Sequence, residues 1–241
     1  MTQIKKEDFI EIEYTGKTKE ESMVFDTTDQ KVAKENELPT ENLDFGPVII
    51  RVGDGNVIQG LDLALEGKEV GKSYTVEVPP EQGFGKKDVK LIQLISTSKF
   101  LKQNVQPIPG LQVNMDGTVG TIKTVSGGRT LVDFNHPLSS KELIYNIKIN
   151  KLITDDKEKL TSFLKVQLNQ KDLTAEIKEG TATITLKQEL PKELTEILNK
   201  KISEIIPSVK KLNFTVKQEP VKKPDTSKET PLKDTEKETK K

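Results

Sequence analysis

The sequence predicts an α+β fold: a sheet carrying one short helix, a strand-like stretch set into it, and a small α-β-β-α-β unit after it. Three observations lead there. Apolar residues alternate with polar ones along most of the first 152 positions, a period of two that marks half-buried strands. One segment in that region, between Gly55 and Gly67, has helical spacing instead. After residue 153 the pattern changes to long helical faces flanking short alternating runs.

Phe9, Ile10, Ile12 and Tyr14 predict the first strand, Val48 to Val52 the second, and Tyr74, Val76 and Val78 a third that stops at Pro79-Pro80. Between the first two, Thr27 to Asn42 is polar and carries Pro39, which predicts a surface excursion with a short helix around Gln30 to Glu37. Val57, Ile58, Leu61 and Leu65 form one face of the glycine-bounded helix. Residues 87–133 return to alternation through Leu111, Val113 and Met115, then Val119, Ile122 and Val125. A Ser126-Gly127-Gly128 turn leads on to Leu131, Val132 and Phe134. Leu143, Tyr145, Ile147 and Ile149 predict a long last strand of the first sheet.

Asp155 with Glu158 three positions on is an N-cap signature, and Leu160, Phe163, Leu164 and Leu168 follow as one helical face. Leu173, Ala175 and Ile177, a Glu179-Gly180 turn, then Ala182, Ile184 and Leu186 predict a hairpin. Pro191 opens a second helix, and Leu212, Phe214 and Val216 close the unit as a strand. Residues 218–241 alternate lysine and acid among prolines and threonines, with Val221 and Leu232 as the only strong hydrophobes. That stretch cannot bury enough to fold and is expected to be a disordered tail.

Composition excludes much chemistry. The 241 residues contain no cysteine and one histidine, so thiolate catalysis, disulfides, Cys-based metal sites and most nucleophile–His–carboxylate triads are removed together. No metal and no cofactor are expected. The 38 basic and 38 acidic residues cancel, and only Arg51 and Arg129 are arginines, which argues against nucleic acid as a partner. No uninterrupted strongly apolar run exceeds three residues, so no membrane segment or leader is expected and the cytoplasm is the expected compartment.

Two local motifs have ordinary readings. Gly53-Asp54-Gly55-Asn56-Val57-Ile58-Gln59-Gly60 invites comparison with phosphate loops, but its third glycine is misplaced for a dinucleotide site. Leu61 stands where a P-loop needs lysine. It reads as a turn before a helix. His136, in Asn135-His136-Pro137-Leu138, has no second His or Cys to share a metal, and a lone histidine between strands is more often structural than catalytic.

Five separated blocks carry a resemblance: Tyr14-Thr15-Gly16, Val24-Phe25-Asp26-Thr27, Val57-Ile58-Gln59-Gly60-Leu61, Pro79-Pro80-Glu81-Gln82-Gly83-Phe84-Gly85 and Val132-Asp133-Phe134-Asn135-His136-Pro137-Leu138. In order and approximate spacing they are similar to FKBP-type peptidyl-prolyl cis-trans isomerases. The last block resembles the SlyD-like branch with its insert-in-flap domain, and the added C-terminal length resembles that branch's long archaeal members. The resemblance implies an FKBP-like antiparallel half-barrel sheet around a short helix, an inserted all-β domain and a C-terminal α+β domain. Residues 1–86 and 134–153 would then form the isomerase domain, 87–133 the insert and 154–217 the C-terminal domain.

It also implies a prolyl pocket in which Tyr14, Phe25, Asp26, Ile58, Phe84 and Tyr145 act on the substrate and Val48, Val57 and Leu61 bind it, with the Ile58 N–H donating to a substrate carbonyl. Leu61 replaces the family's usual tryptophan, Val48 a common phenylalanine and Phe84 a tyrosine. Those three departures favour the alternative of a non-catalytic peptide-binding scaffold in the same fold, whereas Tyr14, Phe25, Asp26, Ile58 and Tyr145 favour the enzyme. The partners implied are proline-containing peptides and unfolded polypeptides, the latter gripped by the insert through Phe100, Ile108, Leu111 and Met115 unless these form its own core. A homodimer through the C-terminal unit is expected, because a three-stranded sheet leaves edges for a second copy to cover.

Overall fold

The structure, a computed structural model, describes residues 2–41, 44–170, 172–188 and 190–216. The charged stretch 218–241 lies outside them.

The chain opens with β1 (Phe9–Thr18) and β2 (Val24–Thr27), then α1 (Gln30–Glu35), β3 (Val48–Arg51), α2 (Gln59–Leu65) and β4 (Ser73–Val78). There it leaves the first sheet to form β5 (Ile92–Ser96), α3 (Thr97–Lys102), β6 (Gln112–Met115), β7 (Thr118–Ser126) and β8 (Arg129–Asp133), and returns as β9 (Leu143–Leu152). The C-terminal part is α4 (Asp156–Leu168), β10 (Thr174–Lys178), β11 (Thr181–Leu186), α5 (Lys192–Ile205) and β12 (Lys211–Val216). The strands make three sheets. The first has the order β2-β1-β9-β4 with β3 also on β1, the second β5-β8-β7-β6 and the third β10-β11-β12.

β1 and β9 pair over their whole length, from Ile10 opposite Leu152 to Thr18 opposite Leu143, and form the backbone of the first sheet. Ile10, Ile12, Ile147, Ile149 and Leu143 point inward onto Leu61 and Leu65 of α2, which closes the core from one side. The turn before α2 needs Gly53 and Gly55, whose φ angles of 90° and 67° lie in the left-handed region. Their N–H groups donate to Asp62, at 2.8 and 3.1 Å, so the carboxylate of the helix's first turn pins the preceding loop.

The inserted sheet has its own core of Ile95, Phe100, Val113, Ile122 and Val132. This unit is not all strand. The six residues of α3 lay Phe100 into that core, which answers the open question over Phe100: it is 3% exposed and structural. Ile108, by contrast, is 55% exposed.

The C-terminal core takes Leu160, Phe163 and Leu164 from α4 and Leu198 and Ile202 from α5 against Ala182, Ile184 and Leu186. Asp155 caps α4 by accepting the Glu158 N–H at 2.8 Å. Phe9 and Ile153 are buried in this same core, with Ile49 packed against it. The C-terminal unit therefore sits on the outer side of β1 and β3. That placement explains why Phe9 and Ile10, adjacent on a strand and so facing opposite ways, are both buried.

Candidate active site

A cavity of about 380 Å³ opens between the inner face of the first sheet, the loop leading into α2 and the segment after β4. Its walls are aromatic. Tyr14 projects from β1 and Tyr145 from β9, their ring centroids 5.9 Å apart; Phe25 from β2 is not among the lining residues and backs the wall, meeting Tyr145 edge-on at 5.8 Å. Phe84 closes the row, edge-on to Phe25 at 6.0 Å. Such edge-to-face pairs hold one another's orientation as well as burying area. Gly16, opposite Tyr145 in the β1–β9 register, makes room for them: a Cβ there would lie 2.8 Å from Tyr145 Cε1 and 2.9 Å from Phe25 Cζ.

Leu61, fully buried on α2, lies beneath, and Val57 and Ile58 form the lip. Ile58 is the N-cap residue of α2, so its N–H stands outside the helical ladder. No protein acceptor reaches that N–H among the described residues. Gly55 and Asn56 also line the cavity, two residues the sequence marks only as a turn. Asn56 is held there by accepting the Arg51 N–H at 3.0 Å. Val48 is not among the lining residues; half-buried on β3 opposite Ile12, it packs onto the core.

One charged side chain reaches the cavity. Asp26 stands at its exposed rim and accepts the Tyr14 hydroxyl at 3.1 Å. Burial pushes the Asp26 carboxyl up from its ordinary value, opposed by the hydrogen bonds from Tyr14 and from the Thr27 backbone. Burial, reinforced by the Asp26 charge, pushes both the Tyr14 and Tyr145 phenols above the usual tyrosine range, so both stay neutral. His136 lies against the outside of the wall, its ring parallel to Phe84 at 4.5 Å.

A wider hollow of about 680 Å³ lies on the other face of the same sheet. Register puts Glu13, Thr15, Thr75, Asn146 and Lys148 there, so its floor is mostly the polar face of the strands, with Phe45 and Tyr74 at its sides. Among the described residues no cluster of His, Asp or Glu is arranged to hold a metal, and no helix is long and apolar enough to cross a membrane.

The smaller cavity is thus an apolar cup of aromatic rings with a free backbone donor at its lip and a carboxylate on its rim. Among the described residues it has no nucleophile paired with a base. It suits a small apolar ring with a carbonyl beside it.

Comparison with known proteins gives the chain's relatives. A family model described as FKBP26, IF domain matches residues 93–138. The chain is 36% identical over 146 residues to a short-type peptidyl-prolyl cis-trans isomerase of Methanocaldococcus jannaschii, covering 61% of this chain and 92% of that protein. It is 32% identical over 107 residues to an FKBP-type 16 kDa peptidyl-prolyl cis-trans isomerase of Escherichia coli, 43% of this chain and 72% of the other. With the isomerase SlyD of Haemophilus influenzae it shares 33% over 102 residues, 40% of this chain and 53% of that one.

Proposed function

Because the chain belongs to the FKBP-type peptidyl-prolyl cis-trans isomerases, in a SlyD-like form with an insert-in-flap domain, we propose that the cup between Tyr14, Phe84 and Tyr145 is where it turns X–Pro bonds. The observation that carries this reading is the closed aromatic row over Leu61 with the Ile58 N–H free at its lip.

Rotation about X–Pro is slow because amide conjugation sets a barrier of about 18–20 kcal/mol. No covalent step is needed to lower it. The rings of Tyr14, Phe84 and Tyr145, backed by Phe25, exclude water from the seated proline. The planar amide, whose charge separation water stabilises, thereby loses more than the twisted one. The Ile58 N–H is placed to hold the substrate carbonyl, and Asp26, fixed by the Tyr14 hydroxyl, sets the polarity of the rim. Each ~1.4 kcal/mol of preference for the twisted form gives about tenfold in rate.

The test is cis–trans interconversion of a proline tetrapeptide with the full chain at micromolar concentration. The expected rate exceeds buffer alone and is flat between about pH 7 and 9, since both phenols are held above their usual value near 10. A rate equal to buffer would favour the scaffold reading, and a fall across that window would mean that a titrating group takes part.

The inserted unit is proposed to hold unfolded polypeptide. Its exposed Leu94, Leu101, Ile108 and Val119, each more than half exposed, support this. The C-terminal unit is proposed to pair with a second copy, supported by the outer edge of β12, which among the described residues pairs only with β11, and by Ile197, 62% exposed on α5. Sedimentation of the full chain is expected to give twice 27.0 kDa at high concentration, reduced by Ile197→Lys; a single-chain mass throughout contradicts the pairing. A cytoplasmic compartment is proposed as well, on the composition of the sequence.

A further inference from the structure

We propose that His136 is a positioning residue of this site, holding the Phe84 ring in the pocket wall and tying it to the crossing where the inserted unit leaves the first sheet. The proposal rests on the cup being the isomerase site.

Phe84 packs one side against the core of the first sheet, but its backbone does little to orient the ring. It lies after the three-residue turn Pro80–Gln82, outside any strand, between Gly83 and Gly85, and Gly85 has a φ of 76°. Backbone flanked by two glycines does not fix a side chain, so the ring's direction comes from its neighbours. Phe25 meets it edge-on at 84°, while His136 covers it at 4.5 Å with an angle of only 5° between the planes.

The imidazole is itself held. Its Nδ1 accepts the Leu138 N–H at 3.2 Å, and the Ser139 hydroxyl donates to the Phe84 carbonyl at 3.2 Å, joining the two segments through the backbone as well.

The residues just before it bind the two crossings together. Asn135 accepts the Asp88 N–H at 2.8 Å and donates to the Asp88 carbonyl at 3.0 Å. Asp133, buried, accepts from Asn135 and pairs with Lys87 at 3.0 Å. One end of this segment therefore fixes where the inserted unit leaves, and the next residue presses on the pocket wall. His136 itself is exposed, so changing it leaves the cores intact.

The experiment compares the full chain with His136→Ala, His136→Asn and His136→Phe on a proline tetrapeptide. His136→Asn keeps an acceptor for the Leu138 N–H but no ring; His136→Phe keeps a ring but no acceptor. Ala and Asn are expected to lower kcat/KM by about three- to tenfold, the size of a lost ring pair. The loss should fall chiefly on KM, because a Phe84 ring that swings from the wall loosens the seat of the proline ring in both forms while Tyr14 and Tyr145 still exclude water. Phe is expected to recover most of it.

Recovery by Asn and not by Phe would overturn the proposal in favour of a simple turn residue, as would all three variants within twofold of wild type. The NMR shift of the Phe84 ring, displaced by a stacked neighbour, reads the contact without turnover. A wild type with that shift but no turnover would overturn the isomerase reading, and the positioning role with it. Normal turnover in a variant that has lost the shift would overturn the positioning role alone.

Discussion

Replacing residues 87–133 by a short loop is expected to leave turnover of a proline tetrapeptide within about fivefold of wild type and to slow proline-limited refolding of an unfolded protein by about a hundredfold. The cut is feasible because the two crossings run side by side, with Asp88 and Asn135 in direct hydrogen bond. The lost unit also has its own core, so the isomerase core of Ile10, Leu61 and Ile149 stays closed. Phe134, which packs into the lost core, is best made polar in the same variant. A tetrapeptide meets only the cup, whereas an unfolded chain held on the inserted sheet presents its prolines at a raised effective concentration. Equal losses on both substrates would count against the holding role. The modest loss on the tetrapeptide is the expected cost of freeing the segment before His136.

Gly16→Ala is expected to disturb the site strongly for a single added methyl group. Its Cβ would lie 2.8 Å from Tyr145 and 2.9 Å from Phe25, and Tyr145, 3% exposed between Tyr14 and Phe25, has room to move only toward the cavity it lines. Overpacking of this kind costs about 1–3 kcal/mol, and relief comes by pushing the rings into the cavity where the proline ring would sit. The φ angle of Gly16 is not among the positive ones, so alanine is tolerated by the backbone and the strand remains. A thermal midpoint a few degrees lower with kcat/KM reduced tenfold or more is the expected pair of readings. A midpoint that falls with unchanged kcat/KM would place the rings outside the reaction.

Much of the first sheet is legible in the sequence because its strands are half-buried, and period two is then visible. The limits of that signal are equally physical. β1 runs four residues past Tyr14, to Thr18, because β2 and β9 pair with it there, a fact of tertiary neighbours. The helix α3 has six residues and no side-chain cap, too short for a period of 3.6 to declare itself. The parallel pairing of β11 with β12 depends on the α5 crossover, since alternation is the same in either direction.

In the site, Tyr14, Asp26, Ile58, Phe84 and Tyr145 are separated by up to 131 positions, and only a whole-family pattern relates them. Val48 illustrates the limit of that pattern: a shorter side chain at an aromatic position packs down and leaves the cavity. Asn56 and His136 are lone polar residues in turns, with no periodicity to mark them. Their contacts with Arg51 and Phe84 appear only once the chain is folded.

The most direct test of the central claim is exchange spectroscopy of a proline tetrapeptide in the presence of the ¹⁵N-labelled full chain, which reads turnover and contact in one sample. Cis–trans exchange peaks absent from buffer, together with peptide-dependent shifts of the Ile58 and Asn56 amides, are the result predicted here. Faster exchange with those amides unmoved, or shifts confined to the inserted sheet without faster exchange, would contradict it.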